Sequence, residues 1–200
     1  MKLKKLTSYY KNRVRENLRT YFDLATQEHI NNGRQWYATA YQICESIEKE
    51  FDYRYDVDTI AGVISALSPR NKWERNIDDA RAVLRAVMDD INPDDISVCT
   101  FNTNKAKSFE IAKGRVSITK SSRKTFSFVQ NIAHLDDRYV TIDVWHLRAM
   151  FRKTIDSGLT PAKYDELAKI TIEEANKVGL QGYQYQAIIW ECIRDRDEQF

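Results

Sequence analysis

Apolar side chains recur at three- and four-residue intervals from one end of the chain to the other, so helices with one buried face are what it can build. Tyr10, Val14, Leu18, Tyr21, Phe22 and Ala25 define an amphipathic helix over residues 7–30, expected to end at Asn31-Asn32-Gly33. Trp36, Tyr37, Ala40, Ile43, Cys44 and Ile47 carry the same period to about Phe51, with the aromatic pair read as core. Residues 60–67 are apolar nearly all round and predict a central helix, capped by Asp58 or Thr59 and stopped by Ser68-Pro69. Further helices are predicted over residues 73–88, from Phe101 onward, from near Arg123, after Asp143, from Thr160-Pro161 to Lys177, and over 183–194. Asn92-Pro93-Asp94-Asp95 reads as a turn or helix start, and Gly179 and Gly182 as breaks. The fold class is all-α.

Two hundred residues with 42% hydrophobic content suffice for one folded unit or two small lobes. A formal charge of +2 neither demands nor excludes nucleic acid, so the distribution of charge matters more. Residues 2–19 hold seven basic side chains against Glu16, and residues 105–124 hold seven against Glu110, while acids crowd 89–95 and 195–198. This asymmetry predicts a basic face, or else ordinary solvated helix surface. Cys44, Cys99 and Cys192 are too few and too far apart for a disulfide framework or zinc site and read as buried, reduced thiols. His29, His134 and His146 share no ligand spacing, so neither metal nor cofactor is expected. The sequence shows no membrane-length apolar run and no signal peptide, which predicts a soluble protein of the cytoplasm.

The most informative stretch is 121–148. Arg123-Lys124-Thr125 opens a helix on Phe126, Val129 and Ile132, and two cations in a first turn run against the helix dipole unless an anion sits there. The β-branched run Tyr139-Val-Thr-Ile142 then leads to Asp143, an N-cap by position, ahead of Val144, Leu147 and Phe151. R-K-T followed by I-D-V-W-H-L-R, with Asp143 nineteen residues after Lys124, resembles the helix-hairpin-helix (HhH-GPD) DNA glycosylases of the endonuclease III type. Those proteins carry R-K-T-A, an apolar helix and V-D-T-H-x-x-R. The resemblance implies a two-lobed helical fold (58–133; 1–57 with 134–200) whose cleft accepts an everted base. It assigns Lys124 as amine nucleophile and Asp143 as catalytic carboxylate.

Two further passages extend the resemblance over about residues 58–194. A-G-V-I-S-A-L-S-P-R-N is similar to the family's L-I-x-V-L-L-S-x-Q entering a lesion-facing loop, which implies that Ser68, Arg70 and Asn71 border the pocket. Phe101-Asn-Thr-Asn-Lys-Ala is similar to G-L-Y-N-x-K-A and brings in Lys105. Between Gly114 and Arg123 the chain has R-V-S-I-T-K-S-S where relatives have a helix and L-P-G-V-G, so the hairpin is shortened and degenerate. Lys120, Ser121, Ser122 and Arg123 would supply phosphate donors in place of its glycines. Relatives often hold an iron-sulfur cluster on four cysteines; this chain resembles the reduced, cluster-free forms found in bacteriophages.

A glycosylase must stabilise positive charge at the sugar C1′, which calls for a carboxylate and, in lyases, an amine. Each residue also has an ordinary reading: Asp143 as a helix cap, Lys124 as a phosphate contact, Arg148 as an ion-pair residue, Trp145 as core. Asp94, Asp95, Glu110 and Lys113 lie in helical sequence, which does not suit a strand-built nuclease site. The resemblance therefore implies a DNA glycosylase, with or without abasic-site lyase activity. The alternative is a catalytically silent DNA-binding or base-modifying bacteriophage accessory protein on the same fold.

Overall fold

The computed structural model describes residues 6–153 and 159–197, and every regular element among them is helical. Nine α-helices run in order: α1 (Ser8–Asp23), α2 (Gln27–Glu50), α3 (Val57–Leu67), α4 (Trp73–Met88), α5 (Asn102–Ala112), α6 (Arg123–His134), α7 (Val144–Phe151), α8 (Pro161–Lys177) and α9 (Gly182–Asp197). A 3-10 turn, Pro93–Asp95, lies between α4 and α5. Lys2, Lys4 and Lys5 of the N-terminal basic run and Glu198 of the C-terminal acidic run lie outside the described residues.

The contacts divide the chain into two compact units, residues up to Thr39 with those from Leu135 onward, and Ala40–His134. The division falls inside α2, not at the 57/58 junction read from the sequence.

In the Ala40–His134 unit, α3 touches α4, α5 and α6 and is buried throughout from Ile60 to Leu67. Ile60, Ile64 and Leu67 are fully enclosed, and each such side chain contributes about 1.5–3 kcal/mol relative to exposure. The cap of α3 is Asp56, whose side chain accepts from Thr59 N at 2.8 Å, rather than Asp58 or Thr59. Ser68 stays in the right-handed helical region before Pro69, and the chain turns at Arg70, which takes φ +61.

In the other unit, α7, α8 and α9 pack on α1 around Val14, Leu18, Met150, Leu167, Tyr185 and Ile188. Two features of this unit differ from the expectation drawn from sequence. The first helix ends at Asp23, and Thr26 starts the second: its Oγ1 accepts from His29 N and its own amide donates to His29 Nδ1, both at 3.2 Å. This is the reciprocal arrangement of a capping box, with His in place of the usual Glu. Gly33, taken for a terminator, lies inside α2, where a Cβ would stand 2.5 Å from Ile188 N and 2.6 Å from its Cα. It is a contact glycine that lets α9 approach. Gly182 acts similarly at the start of α9 against Ile172 and Val140, whereas Gly179, at φ +69, does end α8.

The basic stripe of α1 is largely neutralised within its unit. Lys11 pairs with Glu166, Arg15 Nη2 meets Glu173 at 2.8 Å, and Arg19 Nε and Nη2 meet Glu174 at 2.5 and 3.1 Å. Spacings of four residues on α1 therefore match acids on one face of α8. Burial pushes the Glu174 carboxyl up, but hydrogen bonds from Arg19 and Lys177 outweigh it and hold the group below its ordinary range.

Candidate functional site

Of the ten residues singled out from sequence, nine belong to the Ala40–His134 unit and Asp143 alone to the other. They form three local groups.

The first surrounds the start of α6. The segment 114–122 carries no regular structure, and Ser122 O accepts from Phe126 N to begin the helix. Thr119 Oγ1 and Ser121 Oγ share a hydrogen bond of 2.8 Å, Arg123 donates to Lys120 O, and Lys120 Nζ lies 5.9 Å from the centre of the Phe126 ring. The first turn of α6 holds Arg123 and Lys124 and no acid, and Lys124 is exposed. An anion here would meet amide donors and cations together.

The second group is the turn from Ser68 to Asn71, which is fastened to the loop before α5. Asp79, on α4 and 2% exposed, organises it. Its Oδ2 accepts from Asn71 Nδ2 at 2.9 Å and Cys99 N at 2.8 Å, while Oδ1 accepts from Arg75 Nε at 2.7 Å. Thr100 Oγ1 donates to Pro69 O, Cys99 Sγ to Arg70 O, and Asn104 Nδ2 to Ala66 O. The Arg70 guanidinium stacks 4.8 Å over the exposed Phe101 ring, and Lys105 follows in the first turn of α5. Cys99 is thus exposed, contrary to the expectation of three buried thiols, because it sits in this loop and not on a core helix. Cys44 fits the expectation: it is buried, and burial pushes its thiol up to about 12. Sequence reasoning missed Asp79, although its spacing four residues after Arg75 signals the pair.

The third group surrounds Asp143. Val140, Thr141 and Ile142 form a buried segment outside the helices, with no strand beside it among the described residues. Its backbone groups find a side chain instead: Tyr164 Oη, on α8, accepts from Ile142 N and donates to Val140 O, both at 2.9 Å. Tyr37 lies nearby, donating to Gln186 Oε1 at 2.9 Å. Burial drives the Tyr37 hydroxyl far above its ordinary value, a hydrogen bond with Thr141 opposes that rise, and the charge of Asp143 adds to it. At the end of this segment Asp143, half-buried, caps α7 by accepting from His146 N at 2.7 Å. The amide end of α7 complements its negative charge.

His146 itself has no exposed surface; its Nε2 meets Thr171 Oγ1 at 3.1 Å, and burial lowers its imidazole to about 3. Thr171 Oγ1 donates to Leu167 O, so Nε2 carries the proton that His146 gives to Thr171. Trp145 is half-buried with the Arg148 guanidinium 4.5 Å over its ring. Among the described residues, no three His, Cys, Asp or Glu side chains group closely enough to hold a metal ion. No helix among them is long and apolar enough to cross a membrane.

The chain belongs to DUF7178, a family of unknown function, whose pattern matches residues 1–197. No curated protein and no solved structure matches it.

Proposed function

We propose that this member of DUF7178 is a DNA-acting protein of the HhH-GPD glycosylase type that releases a damaged or modified base, with Asp143 as the catalytic carboxylate. The observation that carries the reading is the setting of Asp143: a partly exposed acid at a helix start, at the end of a buried segment fixed by hydrogen bonds. A carboxylate that must stabilise transient positive charge at C1′ needs a fixed position more than mobility. The basic first turn of α6 and the Arg70–Phe101 pair supply contacts of the kind that hold a phosphate backbone and stack on an unpaired base. In this scheme the glycosidic bond breaks, the base leaves with the bonding electron pair and is then protonated, and water or the Lys124 amine takes its place at C1′. Everting the target base costs a few kcal/mol and is cheapest for a lesion or mismatch.

A second reading, DNA binding without base release, is favoured by the exposure of Lys124, since an amine nucleophile works from an enclosed site. Borohydride trapping separates the amine route. With duplexes carrying an abasic site or a damaged base, a covalent adduct lost in Lys124→Ala supports Lys124 as nucleophile. Base release without an adduct leaves water as the nucleophile. Duplex binding with neither adduct nor released base supports the second reading.

A further inference from the structure

Resting on the proposed role of Asp143, we infer that Tyr164 is a positioning residue for that carboxylate. Buried backbone N–H and C=O groups need partners, which a helix or a neighbouring strand ordinarily supplies. The segment before Asp143 has neither among the described residues, and one phenol takes both jobs there, bonding Ile142 N and Val140 O across a two-residue step. Ile142 is the residue immediately before Asp143, so the fixed amide sets the direction in which the chain enters the cap. The phenol is itself buried, at 5% exposure, and rises from α8 beside Leu167. Tyr37 gives the segment a second anchor through Thr141, and Gln186 orients its hydroxyl. Removing the Tyr164 hydroxyl leaves the ring to fill its space, so the change falls on the two backbone bonds and, through them, on where Asp143 points.

The test compares wild type, Tyr164→Phe, Tyr37→Phe, Asp143→Asn and the Tyr164→Phe/Asp143→Asn double variant, using duplexes that each carry one uracil, 8-oxoguanine, 3-methyladenine or 5-hydroxymethylcytosine. Single-turnover base release is expected to fall by about 10–100-fold in Tyr164→Phe, with the duplex Kd unchanged. In the Asp143→Asn background the same substitution is expected to add no further loss, because its effect passes through the acid. Wild-type rates in Tyr164→Phe, or equal further losses in both backgrounds, overturn the inference while leaving the role of Asp143 intact. If wild type releases none of the four bases, hydrogen exchange at the His146 amide still decides the matter. Faster exchange there in Tyr164→Phe supports positioning, and unchanged exchange overturns it. Should Tyr164→Phe fail to fold, Tyr37→Phe is read in the same way, with a smaller loss expected.

Discussion

Replacing Gly33 by Ala tests the close approach of α2 and α9. The added Cβ would lie 2.5 Å from Ile188 N and Cγ1 and 2.6 Å from Ile188 Cα. Ordinary contact begins at 3.4 Å, so the two helices must separate by close to 1 Å along this line. Ile188 Cγ1 could rotate away, but its backbone N and Cα cannot, and the residue is fully buried. Overpacking of this kind costs about 1–3 kcal/mol. Against it stands the gain from exchanging Gly for Ala in a helix interior, about 1 kcal/mol. The balance is a net loss of up to about 2 kcal/mol, or up to about 8 °C in Tm for a chain of this length. The exposed neighbour Asn32→Ala, free of the clash, should be neutral or slightly stabilising. Urea unfolding followed by helical circular dichroism reads both variants. A Gly33→Ala protein as stable as Asn32→Ala refutes the backbone contact between these helices.

Two further outcomes concern acid. His146 is lowered to about 3 in the fold against 6.5 when unperturbed, so between these values the unfolded chain binds a proton that the folded chain does not. Stability therefore falls as pH drops from 6.5 toward 3, by up to about 1.4 kcal/mol per pH unit from this group, and His146→Leu should flatten that slope in urea titrations at pH 7, 6 and 5. Glu174 is shifted the other way round: its carboxyl is depressed, so its contribution is present above its unfolded value and is lost as pH falls through the folded one. Arg19→Met is expected to cost about 1–2 kcal/mol at pH 7, less than a sealed pair because Arg19 is half-exposed and Lys177 remains, and the difference from wild type should shrink as acid protonates Glu174.

Much of the fold was legible because its signals are local. The stripe Phe126, Val129, Ile132 places α6, the all-apolar run 60–67 places α3 at a centre, and Asp143 is recognisable as a cap from the apolar spacing of Val144, Leu147 and Phe151 after it. The failures share a cause, which is that their meaning lies in a distant partner. A glycine that ends a helix and a glycine that admits another helix look alike until Ile188 is seen beside Gly33. Thr26 and His29 escaped notice because His is not the residue expected in a capping box. The cations of α1 suggested a basic face or solvated surface, yet Lys11, Arg15 and Arg19 meet Glu166, Glu173 and Glu174 from the far end of the chain. The helix from Thr160-Pro161 to Lys177 was readable, but nothing local reveals that the Tyr164 hydroxyl on it bonds the backbone of Val140 and Ile142.

The central claim is that Asp143 performs base release. It is tested most directly by single-turnover release of free base from the lesion-bearing duplexes, with wild type and Asp143→Asn compared at equal duplex occupancy. Wild type is expected to release base from at least one lesion, and the variant to lose at least ~100-fold, with binding retained. Release that persists unchanged in Asp143→Asn contradicts it.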